Sequence, residues 1–106
     1  MKNINKIVLI LGASSDIGEY YANYYSNLGY IVVLTYNNSY KEVLNLYTSI
    51  KQKTEVSMYK VSTNIEEEIK NLFKNIIDKY GNIDIVINLV ATYNDNLITE
   101  KTKKDF

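Results

Sequence analysis

The order in which apolar residues change their spacing constrains this chain most. Ile7-Val8-Leu9-Ile10-Leu11 is an unbroken apolar run that stops at Gly12. Such a run, with no polar alternation, suits a strand covered on both faces. From Ile17 the spacing becomes helical, through Ile17, Tyr20, Tyr21, Tyr24, Tyr25 and Leu28. Ser14, Ser15 and Asp16 supply cap-type residues ahead of it, and Gly29 is a suitable stop. Tyr30 to Tyr36 is a second β-branched run, broken by Asn37-Asn38-Ser39. Tyr40, Val43, Leu44, Leu46, Tyr47 and Ile50 then predict a helix that ends at Lys51-Gln52-Lys53. Val56 to Val61 is a shorter strand. Glu66-Glu67-Glu68 opens a third helix, where acidic side chains face the positive end of the helix dipole. Its stripe is Ile69, Leu72, Phe73, Ile76, Ile77 and Tyr80, closed by Gly81. Ile83 to Val90 is a fourth strand, interrupted by Asp84 and Asn88. After Tyr93 the chain is polar, with room for a short helix from Thr99.

Strands alternating with helices at this spacing predict an α/β fold: a doubly wound parallel sheet of four strands in the order 3-2-1-4, flanked by helices. No linker, repeat or low-complexity tract divides residues 1–106, so one domain is expected. In that order strand four is an edge carrying Ile83, Ile85, Val86 and Ile87. A bare apolar edge invites pairing, so the chain is expected to belong to something longer or to form a homo-oligomer.

Composition removes several functions. The 106 residues include no Cys and no His. That excludes disulfide scaffolds, thiol catalysis, Cys-ligated metals and a Ser-His-Asp triad. No carboxylate cluster suggests a metal site either, since Glu66–Glu68 reads as a solvated helix start. Lys and acidic residues balance at 12 each, with no Arg. Without a basic patch, nucleic acid is not an expected partner. The first apolar run, five residues long, falls far below the roughly 20 needed to span a membrane. Lys2 and Lys6 are not followed by the apolar stretch of a signal peptide. The expected location is the cytoplasm.

Gly12-Ala13-Ser14-Ser15-Asp16-Ile17-Gly18 joins strand one to helix one. Gly12 permits a tight turn and Gly18 a close helix–strand approach. The free N–H groups and positive end of the helix suit a pyrophosphate. A plain turn with a Ser cap is the competing reading of two glycines, and the strand-turn-helix context favours the phosphate site.

Leu11 to Gly18 resembles the T-G-x-x-x-G-x-G signature of the short-chain dehydrogenase/reductase family. Tyr80-Gly81 and Ile83 to Ala91 are similar to that family's segment ending in N-N-A-G. Asp95-Asn96-Leu97 falls where its 3-oxoacyl-[acyl-carrier-protein] reductases carry the same tripeptide. The likeness runs over essentially the whole chain. It implies the N-terminal, dinucleotide-binding part of a Rossmann-like NAD(P) domain from a carbonyl reductase or alcohol dehydrogenase, with a nicotinamide dinucleotide as partner. Three departures stand out. Leu11 replaces a Thr that would hydrogen-bond nearby loops. Asp16 replaces a Gly, and a carboxylate facing a pyrophosphate would repel it, so Asp16 is expected to point outward. Leu89, Val90 and Ala91 replace most of N-N-A-G, leaving Asn88 to tie the end of strand four to the cleft.

Relatives that prefer NAD place Asp or Glu at the end of strand two, where it accepts from the ribose 2′-OH. Here that position is Tyr36. Nothing there repels a 2′-phosphate, Asn37 and Ser39 could donate to it, and Lys41 is the nearest cation in sequence. The resemblance implies NADP, with NAD second. Where relatives often set Asp beside the adenine, the chain has Ser62, followed by Thr63 as a backbone contact. The expected cofactor-binding set is therefore Gly12, Ser14, Ser15, Asp16, Ile17, Gly18, Tyr36, Asn37, Ser39, Ser62, Thr63, Asn88 and Ala91.

No catalytic residue is assigned. The family's Ser and Y-x-x-x-K, which supply the general acid for a hydride transfer from nicotinamide, are expected to lie beyond the end of this chain. One Y-x-x-x-K occurs at Tyr47 and Lys51, but in the helix after strand two. Eleven Tyr and 12 Lys make one chance match expected. An acyl-thioester or other carbonyl substrate is expected only in a longer form, and the chain alone is expected to be inactive. The alternative is a non-catalytic nucleotide-binding or interaction domain derived from the same family. A flavodoxin-like or receiver-like module fits less well, because a receiver needs an acidic phospho-acceptor site.

Overall fold

A computed structural model of the chain describes residues 6–90. The elements alternate as expected: β1 (Ile7–Leu11), α1 (Asp16–Asn27), β2 (Ile31–Tyr36), α2 (Tyr40–Lys51), β3 (Val56–Lys60), α3 (Glu66–Tyr80) and β4 (Ile85–Asn88). The four strands form one sheet in the order β3-β2-β1-β4, and every pairing is parallel. Each crossover between neighbours in sequence carries a helix, as a parallel sheet requires.

Strand periodicity splits the β1 run between two cores. Val8 and Ile10 join Ala22, Val43, Leu46 and Ile50 on the α1 and α2 face. Ile7, Leu9 and Leu11 join Leu72 and Ile76 on the α3 face. All five β1 residues are buried, which explains why the run has no polar member.

Three local details bear on these expectations. First, α1 does not bury its whole tyrosine stripe. Its buried residues are Gly18, Ala22 and Ser26, four apart, and these small side chains let the helix lie against the sheet. Tyr21 and Tyr25 pack beside them, while Ile17, Tyr20, Tyr24 and Leu28 are exposed. Second, α2 ends at Lys51, as expected, and the Lys51 ammonium lies 5.6 Å from the Tyr47 ring centroid. Third, β4 is four residues long, not eight. The Asp84 carboxylate accepts from Ile7 N–H at 2.7 Å, taking a donor the ladder would otherwise use. At the other end Asn88 Oδ1 accepts from Val90 N–H at 3.1 Å and turns the chain. Ile83, Leu89 and Val90 thus flank the strand. The segment from Thr99 and the tripeptide Asp95-Asn96-Leu97 lie outside the described residues.

Among the described residues β4 is the edge beside β1, paired on one side only, and its four residues are half-buried. β3 forms the other edge. It is fastened to α3 by a hydrogen bond between the Ser57 and Tyr80 hydroxyls.

Candidate nucleotide site

The parallel strands all end on one side, so the segments after Leu11, Tyr36, Lys60 and Asn88 gather there. Ligands of open α/β sheets bind outside these carboxyl ends, where neighbouring crossovers diverge to opposite faces. A cavity of about 440 Å³ occupies that place, within the usual size of a small-molecule site.

The β1–α1 turn makes one wall. Gly12 has φ +79°, a conformation that favours glycine, and a Cβ there would lie 3.2 Å from Val90 Cγ2. At Gly18 a Cβ would lie 2.7 Å from Ala13 O, so any side chain would push α1 away from the turn. Ser15, rather than Asp16, caps the helix: its Oγ accepts from Gly18 N–H at 3.1 Å. Among the described residues, the N–H groups of Ser14, Ser15, Asp16 and Ile17 have no hydrogen-bond acceptor. Two of them belong to residues lining the cavity, Ser14 and Ser15. Unpaired donors at a helix start form an anion site in waiting.

Thr35 holds this turn to the sheet. Its Oγ1 accepts from Gly12 N–H at 3.0 Å and donates to Ile10 O at 3.2 Å, while Ala13 N–H bonds Thr35 O at 2.9 Å. Thr35 is buried, so these bonds are made out of water and fix where the turn sits. Sequence reading passed over it; the available signal was one hydroxyl at the end of an otherwise apolar strand. Leu11, where relatives carry Thr, is buried with the α3-side core.

Of the expected contacts, Gly12, Ser14, Ser15, Tyr36, Asn37, Ser39 and Thr63 line this one cavity. Asn38, Asn64, Leu89 and Val90 line it as well and were not foreseen. Ser62 instead lines an adjoining cavity of about 370 Å³, which shares Asn37 and Val61 with the first. There the Glu68 carboxylate accepts from Ser62 N–H at 2.7 Å, a contact six residues along the chain that the sequence reading missed. Asn88 shapes the rim through its bond to Val90 rather than lining the cavity. Asp16 faces a separate groove with Glu19 and Glu42, away from the larger cavity. Ile17 is exposed and lines neither nucleotide-side cavity. Ala91 lies outside the described residues.

Neither of the two displaced titrations touches this site. Burial, then the neighbouring phenols of Tyr24, Tyr30 and Tyr21, raise the Tyr25 pKa. The charge of Tyr80, followed by its hydrogen bond, raises that of Lys79. The described residues contain no group of His, Cys, Asp or Glu side chains suited to a metal. No helix among them is long and apolar enough to cross a membrane.

Comparison with known proteins agrees with this geometry. The family model described as short chain dehydrogenase matches residues 6–106. A 3-oxoacyl-[acyl-carrier-protein] reductase of Staphylococcus epidermidis is 27% identical over 105 residues, covering 97% of this chain and 43% of the relative. The chain thus spans less than half the length of that curated relative. Among solved structures, a short-chain dehydrogenase from Oenococcus oeni superposes with TM-score 0.76 at 25% identity, over 96% of this chain and 47% of its own. An NAD+-bound xylitol dehydrogenase shares the fold with TM-score 0.72 at 24% identity, over 80% of this chain and 33% of its own. With its glycine turn, strand order and carboxyl-end cavity in agreement, the chain belongs to the short-chain dehydrogenase family.

Proposed function

We propose that residues 1–106 form the dinucleotide-binding part of a nicotinamide-dependent oxidoreductase similar to the 3-oxoacyl-[acyl-carrier-protein] reductases. The observation that carries this reading is the set of N–H groups from Ser14 to Ile17 left without an acceptor among the described residues, of which Ser14 and Ser15 line the cavity that follows β1. In it, Gly12, Ser14, Ser15 and Gly18 hold the pyrophosphate, with Ile17 and Asp16 contributing backbone N–H groups. Tyr36, Asn37 and Ser39 meet the adenosine ribose. Ser62 and Thr63 meet the adenine, Asn88 bounds the far side, and Ala91, outside the described residues, is a further proposed contact. The residues present fit such a group: the cavity combines donors, a close backbone approach and no carboxylate in its lining. When bound, a nicotinamide dinucleotide supplies the hydride. The chain's own residues bind and orient it.

NADP is the proposed cofactor and NAD the second choice, because no carboxylate ends β2 to accept from a 2′-OH and repel a 2′-phosphate. Its substrate in the longer form is an acyl-thioester or another carbonyl compound, its setting the cytoplasm, and its edge at β4 fits a homo-oligomer. The reading takes the chain alone to be inactive, and it is supported by Tyr47 and Lys51 meeting as ring and ammonium on α2, outside the cavity. Were the chain a non-catalytic relative, the same cavity would still hold nucleotide.

Calorimetric titration with NADPH and NADH tests this reading, alongside an assay with NADPH and a 3-oxoacyl thioester. We expect binding of one dinucleotide, NADPH at least as tightly as NADH, and no turnover. Tyr36→Asp shifts the preference toward NADH by about tenfold or more, the scale of a like-charge contact near a surface. An unchanged preference in that variant, or turnover abolished by Tyr47→Phe, contradicts it.

A further inference from the structure

We infer that Lys60, on β3, is the cation that receives the adenosine 2′-phosphate. The inference rests on the nucleotide reading above and deepens it by naming what provides the charge. A phosphate monoester carries nearly two negative charges at neutral pH. The loop after β2, Asn37-Asn38-Ser39, offers amides and a hydroxyl but no charge. Hydrogen-bond donors alone leave the phosphate uncompensated, so the charge must come from elsewhere in the fold.

The sheet register brings it in. Tyr36 and Lys60 are direct partners on neighbouring parallel strands, a spacing of about 4.8 Å between strands. The pairing is locked one residue further on, where Val61 N–H bonds Tyr36 O at 2.8 Å. Lys60 is 24 residues from Tyr36 in sequence yet adjacent to it across the sheet. It lines the 370 Å³ cavity with Asn37, which also lines the larger one.

Elimination among the lysines of the described residues points the same way. Lys70 and Lys74 are each paired with a carboxylate one helical turn away. Lys53 bonds Asn23, Lys79 bonds Ser57, and Lys51 lies over the Tyr47 ring. Lys6 precedes β1, at the opposite end of the strands. Lys41 remains, but it lines neither cavity. Lys60 is exposed, and its ammonium makes no hydrogen bond or ion pair among the described residues. The carboxylate in its cavity, Glu68, is occupied by Ser62 N–H. Lys60 is thus an uncommitted cation beside the end of β2, which is where a 2′-phosphate needs one.

Half-ligands isolate this feature from the nicotinamide end. We titrate the 106-residue chain with adenosine 2′,5′-bisphosphate and with 5′-AMP. The bisphosphate should bind about tenfold more tightly. Lys60→Gln should erase that difference and leave 5′-AMP binding unchanged, while Lys60→Arg should keep it. Lys41→Gln should behave as wild type. A preference that survives Lys60→Gln, or that Lys41→Gln removes, overturns the assignment. Equal binding of both ligands by the wild type overturns it too, and leaves the nucleotide site standing. Binding of neither ligand by the folded chain overturns the nucleotide reading along with it.

Discussion

β1 and β4 have nearly the same composition, lie side by side and pair residue for residue from Val8–Ile85 to Leu11–Asn88. Yet every residue of β1 is buried and every residue of β4 is half-buried. Hydropathy does not separate Ile-Val-Leu-Ile of β1 from Ile-Val-Ile of β4; only Asn88 differs in kind. The neighbours do: among the described residues β1 has a strand on each side, whereas β4 has one. Ile85 and Ile87 reach the α1-side core, and Val86 the α3-side core, only as partly covered members. Burial in a doubly wound sheet is therefore assigned by strand order, and the same residue type is worth different amounts one strand apart.

Truncating one side chain in each strand puts that difference to the sharpest test. Ile10→Ala empties a fully enclosed site and should destabilise the chain by about 3–4 kcal/mol in urea unfolding. Ile87→Ala should cost about 1 kcal/mol, because part of its surface is already in water. Equal losses would break the comparison. The polar ties at the two strand ends sharpen it further. Thr35→Val leaves Gly12 N–H without its acceptor in a buried turn and should cost about 1–3 kcal/mol. Asn88→Ala frees Val90 N–H at a half-buried position and should cost about 0.5–1 kcal/mol.

The smallest expected effect is a pH dependence confined to the central and β3 side. Tyr25 and Lys79 both have pKa values raised in the folded chain. A raised value means the folded state holds its proton more tightly. Its stabilisation is complete below the unfolded value near pH 10 and is lost as pH rises through the folded value. Melting temperature should thus fall above about pH 10, and Tyr25→Phe should soften the fall. Because β4 contains no titratable residue, Ile87→Ala should leave the alkaline slope unchanged. A slope altered by Ile87→Ala and not by Tyr25→Phe would reverse this assignment.

Much of the fold was legible because each apolar run is short and bounded by Gly, Asn or Ser. The β1–α1 turn was legible for the same reason, its glycines standing between a strand pattern and a helix pattern. What escaped was set by contacts between distant residues. Thr35 meets Gly12 across 23 positions, and nothing in its local pattern marks it as the anchor of the turn. The fourth strand read too long because Asp84 and Asn88 were counted as interruptions, whereas they flank its ends, the Asp84 carboxylate taking Ile7 N–H and Asn88 Oδ1 taking Val90 N–H as the chain turns away. On α1 the tyrosines at three-to-four spacing drew attention from Gly18, Ala22 and Ser26, whose small size decides which face meets the sheet. Lys60 became visible only through the register that sets it beside Tyr36.

The central claim is that the turn after β1 binds the pyrophosphate of a nicotinamide dinucleotide. An amide-resolved NMR titration of the 106-residue chain with NADPH tests it most directly. The account predicts saturable shifts in the N–H signals of Gly12, Ser14, Ser15, Asp16, Ile17 and Gly18, together with those of Asn37 and Thr63. Signals at Tyr20 and Tyr24, on the outer face of α1, should stay in place. A folded chain whose turn amides do not move, or whose shifts gather on the outer face of α1, would contradict it.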